Sequence, residues 1–253
     1  MAPTMITPPN SAHSVPVMPE RYEMRGLRKA DVVGHHANGL SDSAMRSVFI
    51  VGDSISIQYG PYLETMLAGR IAYERKGSED AELAKALRNL DMPMGANGGD
   101  SSMVLSYLQT RCVESVFKPD LLLLNCGLHD IKRALPAKPL QIPPESYAAN
   151  LRAIIALLRS RGIAMAWVRT TAVVDVIHNA RSREFHRHAA DVAEYNRIAD
   201  GIMAEAGART IDLFGFTEGL GGDERFIDHV HFSEVVRRLQ AAFIAGHLLG
   251  WQK

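Results

Sequence analysis

The sequence predicts an α/β fold, a parallel sheet with helices on both faces. Three observations predict it. Ser47–Val51 and Leu121–Leu124 are short apolar runs without polar alternation, the pattern of strands covered on both sides. Between such runs lie stretches whose apolar residues recur every three to four positions, as one face of a helix requires. The two kinds of segment alternate along the chain, which sets successive strands parallel with helical crossovers.

The elements follow in order. Residues 1–44 show no sustained periodicity and open on a stretch rich in Pro, Ser and Thr, so they are expected to form an extended or partly disordered arm, with the folded domain over 45–253. The opening stretch lacks the basic start and apolar centre of a secretion signal. Ser47–Val51 is the first strand, ended by Gly52. Asp53-Ser54 opens a helix with Ile57, Tyr62, Leu63 and Met66 on one side, and Pro61 is expected to delay its start or kink it. A polar helix is expected over 79–90, through Leu83, Leu87 and Leu90. The glycine-rich turn GANGGDSS over 95–102 precedes a helix marked by Met103, Leu105, Leu108 and Cys112. Leu121–Cys126 is the second strand, and 134–144, with four prolines, is a loop. Tyr147, Leu151, Ile154, Ile155 and Leu158 trace a helix over 145–161, closed by Gly162. Ile163–Thr170 is a strand, 175–188 a long polar loop, and 189–206 a helix closed by Gly207. Thr210–Leu213 is a short strand, and 233–249 a last amphipathic helix. No internal repeat is present.

In such sheets ligands gather beyond the carboxyl ends of the strands. Four clusters are expected on that rim: Gly52-Asp53-Ser54, Asn97-Gly98-Gly99-Asp100, Gly127-Leu128-His129-Asp130, and Asp228-His229-Val230-His231. Their residue types suit one reaction. A serine hydroxyl needs a base to take its proton, and histidine is the usual one. A carboxylate then fixes the histidine's tautomer and stabilises its imidazolium. Asp228 and His231, three apart in a turn, can align one carboxylate oxygen with Nδ1 while Nε2 faces Ser54. Ser54 opens a helix, where free N–H groups favour negative charge. The Ser54 N–H, the Gly99 N–H and the His129 ring together can form an oxyanion hole. Asp53 and Asp130 suit helix capping or loop bracing, with substrate binding as the alternative. Asn97 suits either holding its turn or touching substrate, and His229 a structural place.

Taken together, GDS, the glycine turn with GDS, GLHD, and DxxH before the last helix resemble the SGNH (GDSL-type) hydrolase superfamily, in that family's order and over about 46–249. The resemblance implies a three-layer α/β/α sandwich with a flavodoxin-like parallel sheet, and a cofactor-free serine esterase acting through an acyl-enzyme. Position by position, Ser54 matches the nucleophile, His231 the base, Asp228 the orienting acid and Gly99 an oxyanion donor, with Gly98 the poorer match. The substrate class implied is a short acyl ester, often acetyl, of a carbohydrate or small alcohol. The sequence departs at the third block, where the family usually has Asn and this chain has His129. A neutral imidazole carries one N–H, so its tautomer has to be set, by Asp130 or a backbone carbonyl. That departure keeps open a second reading, an acyltransferase or a weakly active carbohydrate-binding protein on the same fold.

Composition excludes other classes. In 253 residues, 28 Lys and Arg balance 28 Asp and Glu, against the basic excess of nucleic-acid binders. No apolar run nears the ~18 residues of a membrane span, so neither nucleic acid nor membrane is expected as a partner. Cys112 and Cys126 form no CxxC and are expected as buried thiols of a reducing, cytoplasmic compartment. His186-x-His188 and His229-x-His231 raise a metal reading, but no HExxH accompanies them and no metal is expected. Segment 175–188, with Arg181, Arg183, Arg187, His178, His186 and His188, is expected as a solvated loop. A lid, a homo-oligomer contact or a contact to a sugar or acidic group is the alternative.

Overall fold

The computed structural model describes residues 45–136 and 139–252; the arm expected over 1–44 lies outside the described residues. The two apolar runs sit side by side. Ser47–Val51 is β1 and Leu121–Leu124 is β3, paired in parallel with Val48 opposite Leu121 and Val51 opposite Leu124. All but Ser47 are buried, as runs with no polar alternation must be to leave water. A clip fixes where both strands begin. One oxygen of Asp120 accepts the Arg46 and Ser47 N–H groups at 2.8 Å each, and the Ser47 hydroxyl at 3.0 Å.

The remaining elements are α1 (Ser54–Leu67), β2 (Ala72–Arg75), α2 (Asp80–Arg88), α3 (Ser101–Arg111), β4 (Arg133–Ala134), α4 (Pro144–Ser160), β5 (Ala164–Val168), α5 (Asp175–Arg181), β6 (Phe185–His186), α6 (Ala189–Glu205), β7 (Arg209–Ile211), α7 (Leu213–Glu218), a 3₁₀ turn over Asp223–Arg225, and α8 (Glu234–Gly250). Five strands form one parallel sheet in the order β2-β1-β3-β5-β7. Helices flank it in two groups: α8 packs along α1 and beside α7, while α3, α4 and α6 pack in sequence. The chain leaves β1 toward β2 and returns to β3 on β1's other side. The loops beyond β1 and β3 therefore diverge and leave a crevice between them.

Several expectations are corrected. Pro61 lies inside α1 without ending it. Buried Ile55, Tyr59, Leu63 and Leu67 hold the helix to the core and outweigh the missing N–H. β2, with a largely exposed AYER sequence, is an edge strand that no apolar pattern marks. Segment 175–188 holds α5 and β6, and β6 pairs antiparallel with β4. α7 and the 3₁₀ turn fall where no element is expected. Gly162 and Gly207 do follow α4 and α6 at φ +67° and +61°, left-handed positions where a side chain would clash with its own carbonyl. Cys112 and Cys126 are free and buried. Among the described residues no helix is long and apolar enough to cross a membrane.

Leu122 is fully buried in the middle of the sheet. Leu122→Ala is expected to lower the free energy of urea unfolding by about 3 kcal/mol; a loss well under about 1 kcal/mol would show that this core relaxes around the gap.

Candidate active site

All four rim clusters meet, and hydrogen bonds join each to its neighbour. The Gly98 N–H donates to the Gly52 carbonyl at 2.9 Å, holding the glycine turn on the end of β1. The Ser101 N–H donates to Asp130 Oδ1 at 2.9 Å, holding α3 on the turn after β3. His231 reaches Ser54 across the crevice. The turn meets β1 closely, since a Cβ on Gly98 would stand 3.1 Å from the Gly52 oxygen. The next residue, Gly99, has φ +76°.

Ser54, His231 and Asp228 lie in a row. The Ser54 hydroxyl is 2.9 Å from His231 Nε2, and His231 Nδ1 is 2.7 Å from Asp228 Oδ2. The other Asp228 oxygen accepts the Val230 and His231 N–H groups at 2.8 and 2.7 Å. Burial alone would raise the Asp228 carboxyl. The bond from the His231 ring, its charge and the two backbone donors outweigh burial and hold Asp228 well below the usual carboxylate range. Asp228 is therefore an anion at neutral pH, aimed at Nδ1, which leaves Nε2 to face the hydroxyl. Ser54 and His231 are 4% and 3% exposed. Such an arrangement can take a hydroxyl proton out of contact with bulk water.

The expected donors are placed unequally. The Ser54 N–H, at the start of α1, has no acceptor among the described residues. The Gly99 N–H donates to Asn97 Oδ1 at 3.0 Å, so it is engaged in the resting site. His129 is buried, and burial with the charges of Lys132 and Arg187 pushes its pKa well down, so the ring is neutral with one N–H. Its Nδ1 is buried without a partner. A bare ring nitrogen tolerates that better than an orphaned N–H, which puts the proton on Nε2. Asp130 is not bonded to Nδ1: its Oδ1 accepts from Ser101, and its Oδ2, like His129 Nδ1, is without a partner.

Three further residues serve as framework. Asp53 caps α1 by accepting the Ile55 N–H at 3.0 Å. Asn97 is closed at both ends of its amide, onto Leu90 O at 3.1 Å and the Gly99 N–H. Asp130 braces α3. All three are buried, with hydrogen bonds that fit the capping and bracing readings.

Sequence reasoning missed two more positions. Arg75, at the end of β2, donates to Ser56 O at 3.0 Å and Ala96 O at 3.2 Å, tying α1 to the glycine turn. Arg187, expected in a solvated loop, is 2% exposed and donates to Leu128 O at 2.8 Å and Asp91 Oδ1 at 2.9 Å. His178 from the same segment is also buried, and burial with the charges of Arg187 and His229 pushes it down to about 3. The only signal in the sequence is the crowding of six Arg and His residues into 178–188.

A cleft of about 440 Å³ reaches the triad, lined by Asn89, Asp91, Phe185, Asp228, His229 and the arginines 181 and 183. Larger grooves lie away from Ser54, one of them at the opposite end of the strands beside Asp120 and Ile163. The smaller cleft meets the reactive row at Asp228. Among the described residues no three His, Cys, Asp or Glu side chains are grouped as metal ligands.

The sequence profile described as GDSL-like Lipase/Acylhydrolase family matches residues 50–239. No curated protein matches the chain. Among solved structures, the lipase/acylhydrolase from Enterococcus faecalis aligns at TM-score 0.55 and 18% identity, over 83% of this chain and 98% of that one. The psychrotrophic esterase EstA from Pseudoalteromonas sp., inhibited by monoethylphosphonate, aligns at 0.56 and 14%, over 81% and 98%. An acetyl xylan esterase aligns at 0.51 and 16%, over 79% and 98%. At these identities the likeness is one of fold.

Burial raises the Asp130 carboxyl to about 7, against the bond from Ser101. The native state thus keeps a proton that the unfolded chain gives up near the ordinary value of 3.8. Stability from this group is complete below that value and is lost as pH rises through about 7. Asp130→Asn, which can accept the same bond uncharged, is expected to gain on wild type in unfolding midpoint between about pH 4 and 7 and hold the gain above. Parallel stability profiles would show that Asp130 is ionised throughout.

Proposed function

Because this chain belongs to the GDSL-like lipase/acylhydrolase family, whose members hydrolyse carboxylic esters, we propose that it removes a short acyl group, acetyl foremost, from a carbohydrate or small alcohol through an acyl-enzyme on Ser54. The observation that carries this reading is the unbroken hydrogen-bonded row from Ser54 through His231 to Asp228. His231 Nε2 takes the hydroxyl proton as Ser54 Oγ attacks the ester carbonyl. The imidazolium so formed is stabilised by the Asp228 anion. Negative charge on the former carbonyl oxygen is met by the Ser54 N–H and the His129 ring, and by the Gly99 N–H as it leaves Asn97. His231 then gives its proton to the departing alkoxide. In the second half, it draws a proton from water, which attacks the acyl carbon, and returns that proton to Ser54 Oγ as the acid leaves.

The substrate class rests on two supports. The cleft beside Asp228 is of small-ligand size, and its lining mixes Phe185 with Asn and Asp side chains. One fold relative is described as an acetyl xylan esterase. A second reading keeps the acyl-enzyme and passes the acyl group to a sugar hydroxyl instead of water, or binds carbohydrate with little turnover. The single N–H of His129 favours its low-turnover form, since it limits the oxyanion donors. Product analysis with an added acceptor alcohol separates transfer from hydrolysis.

Wild-type protein is expected to hydrolyse p-nitrophenyl acetate and to be labelled by an alkyl phosphonate on Ser54, seen as a mass shift on the peptide that contains it. Ser54→Ala is expected to lose both; equal rates for the two proteins would end this assignment. His129→Ala is expected to lower kcat by about 10²–10³ with KM little changed. His129→Asn, which restores an N–H donor, should recover part of that loss. Wild-type kinetics in both variants would remove His129 from the oxyanion hole.

A further inference from the structure

The Arg187 guanidinium is buried beside the reactive groups, yet the reaction above gives it no part. Its bonds show what it holds. Its Nε donates to the Leu128 carbonyl at 2.8 Å. That carbonyl belongs to the rigid peptide plane that ends at the Cα of His129, so fixing it fixes the base from which the ring projects. A second guanidinium nitrogen donates to Asp91 Oδ1 at 2.9 Å, and the guanidinium lies 4.8 Å from the Phe185 ring centre.

Asp91 extends the grip in two directions. Its backbone carbonyl accepts from Lys132 Nζ at 2.6 Å, three residues beyond His129. Its second carboxylate oxygen is 3.8 Å from Nε2 of His229, next to Asp228. The Asp91–Arg187 pair thus touches the His129 turn on both sides of His129, and the turn that carries Asp228 and His231.

We propose that the Asp91–Arg187 pair, its arginine buried and its carboxylate at the edge of the cleft, is the positioning device of this site, holding the His129 ring in register with the Ser54–His231–Asp228 row. The inference rests on the proposed esterase reading and adds to it a residue from a segment expected to be solvated. Neither residue is a catalytic group; Arg187 acts through His129, and Asp91, which also lines the cleft, acts on the turn through Arg187 and Lys132. The two arginine bonds need a planar fork with several donors, which a lysine cannot reproduce.

The test is a double-mutant cycle on p-nitrophenyl acetate, with unfolding midpoints measured alongside. Arg187→Met is expected to lower kcat about 10²-fold, the scale of a displacement near 1 Å, with KM within about twofold. The loss should not add to that of His129→Ala. The double variant His129→Ala/Arg187→Met should be within about threefold of His129→Ala alone, since both remove the same donor. Arg187→Met leaves Asp91 partly buried without its counter-charge and is expected to be destabilised. The paired variant Arg187→Met/Asp91→Leu removes both charges and should regain the unfolding midpoint without regaining kcat, an outcome that a purely structural pair would not give.

Should Arg187→Met fail to fold, Arg187→Lys keeps the charge and is expected to fold with kcat about tenfold down. Full activity in the variant that folds, fully multiplicative losses with His129→Ala, or recovery of kcat together with stability in the paired variant would each overturn the proposal. Wild-type turnover that depends on Ser54, measured in the same series, separates the two levels. If it is present, a wild-type result for the arginine variants removes only the positioning role; if it is absent, the esterase reading falls and this inference with it.

Discussion

Ser54 and His231 are 177 residues apart in the chain, and one hydrogen bond of 2.9 Å joins them. Everything the site can do depends on that bond, and it is a tertiary product. Ser54 is delivered by β1, whose end is fixed by its neighbours in the sheet. His231 is delivered by the turn before α8, and α8 is placed by packing along α1, the helix that Ser54 begins. The same helix pair therefore carries both partners, and the base stays within reach of the hydroxyl as long as the two helices stay packed. Burying Ser54 and His231 removes competing water, while the Asp228 anion keeps the ring turned the right way.

What was legible in the sequence was what burial writes there. The apolar runs of β1 and β3, the stripes of α4, α6 and α8, and the glycines after α4 and α6 each answer to a single local requirement. The Ser54, His231 and Asp228 positions were legible for another reason. Their chemistry needs particular residue types, and a sheet of this kind gathers strand ends in one place. β2 was not legible, because an edge strand with mostly exposed side chains has no apolar signature, although its last residue, Arg75, laces α1 to the glycine turn.

The rest stayed hidden because it depends on partners far away in sequence. Arg187 looks like any basic loop residue until Asp91 and the Leu128 carbonyl are brought to it from 96 and 59 positions away. Asp53, Asn97 and Asp130 had two readings each, capping or contact, and the hydrogen bonds that fit the first form only in the folded chain. The Gly99 N–H had the right place in the motif, but a residue two positions earlier supplies its acceptor.

That last bond has a bearing on discrimination between states of the reaction. An N–H already satisfied by a neutral amide oxygen gains little by turning to an equally neutral ester carbonyl. Turning to an alkoxide-like oxygen is different, because hydrogen bonds to charged acceptors are roughly twice as strong as neutral ones. Under the proposed esterase reading, Asn97 keeps the donor from rewarding the ground state and yields it only as charge forms, which is the condition for an interaction to speed a reaction rather than merely tighten binding.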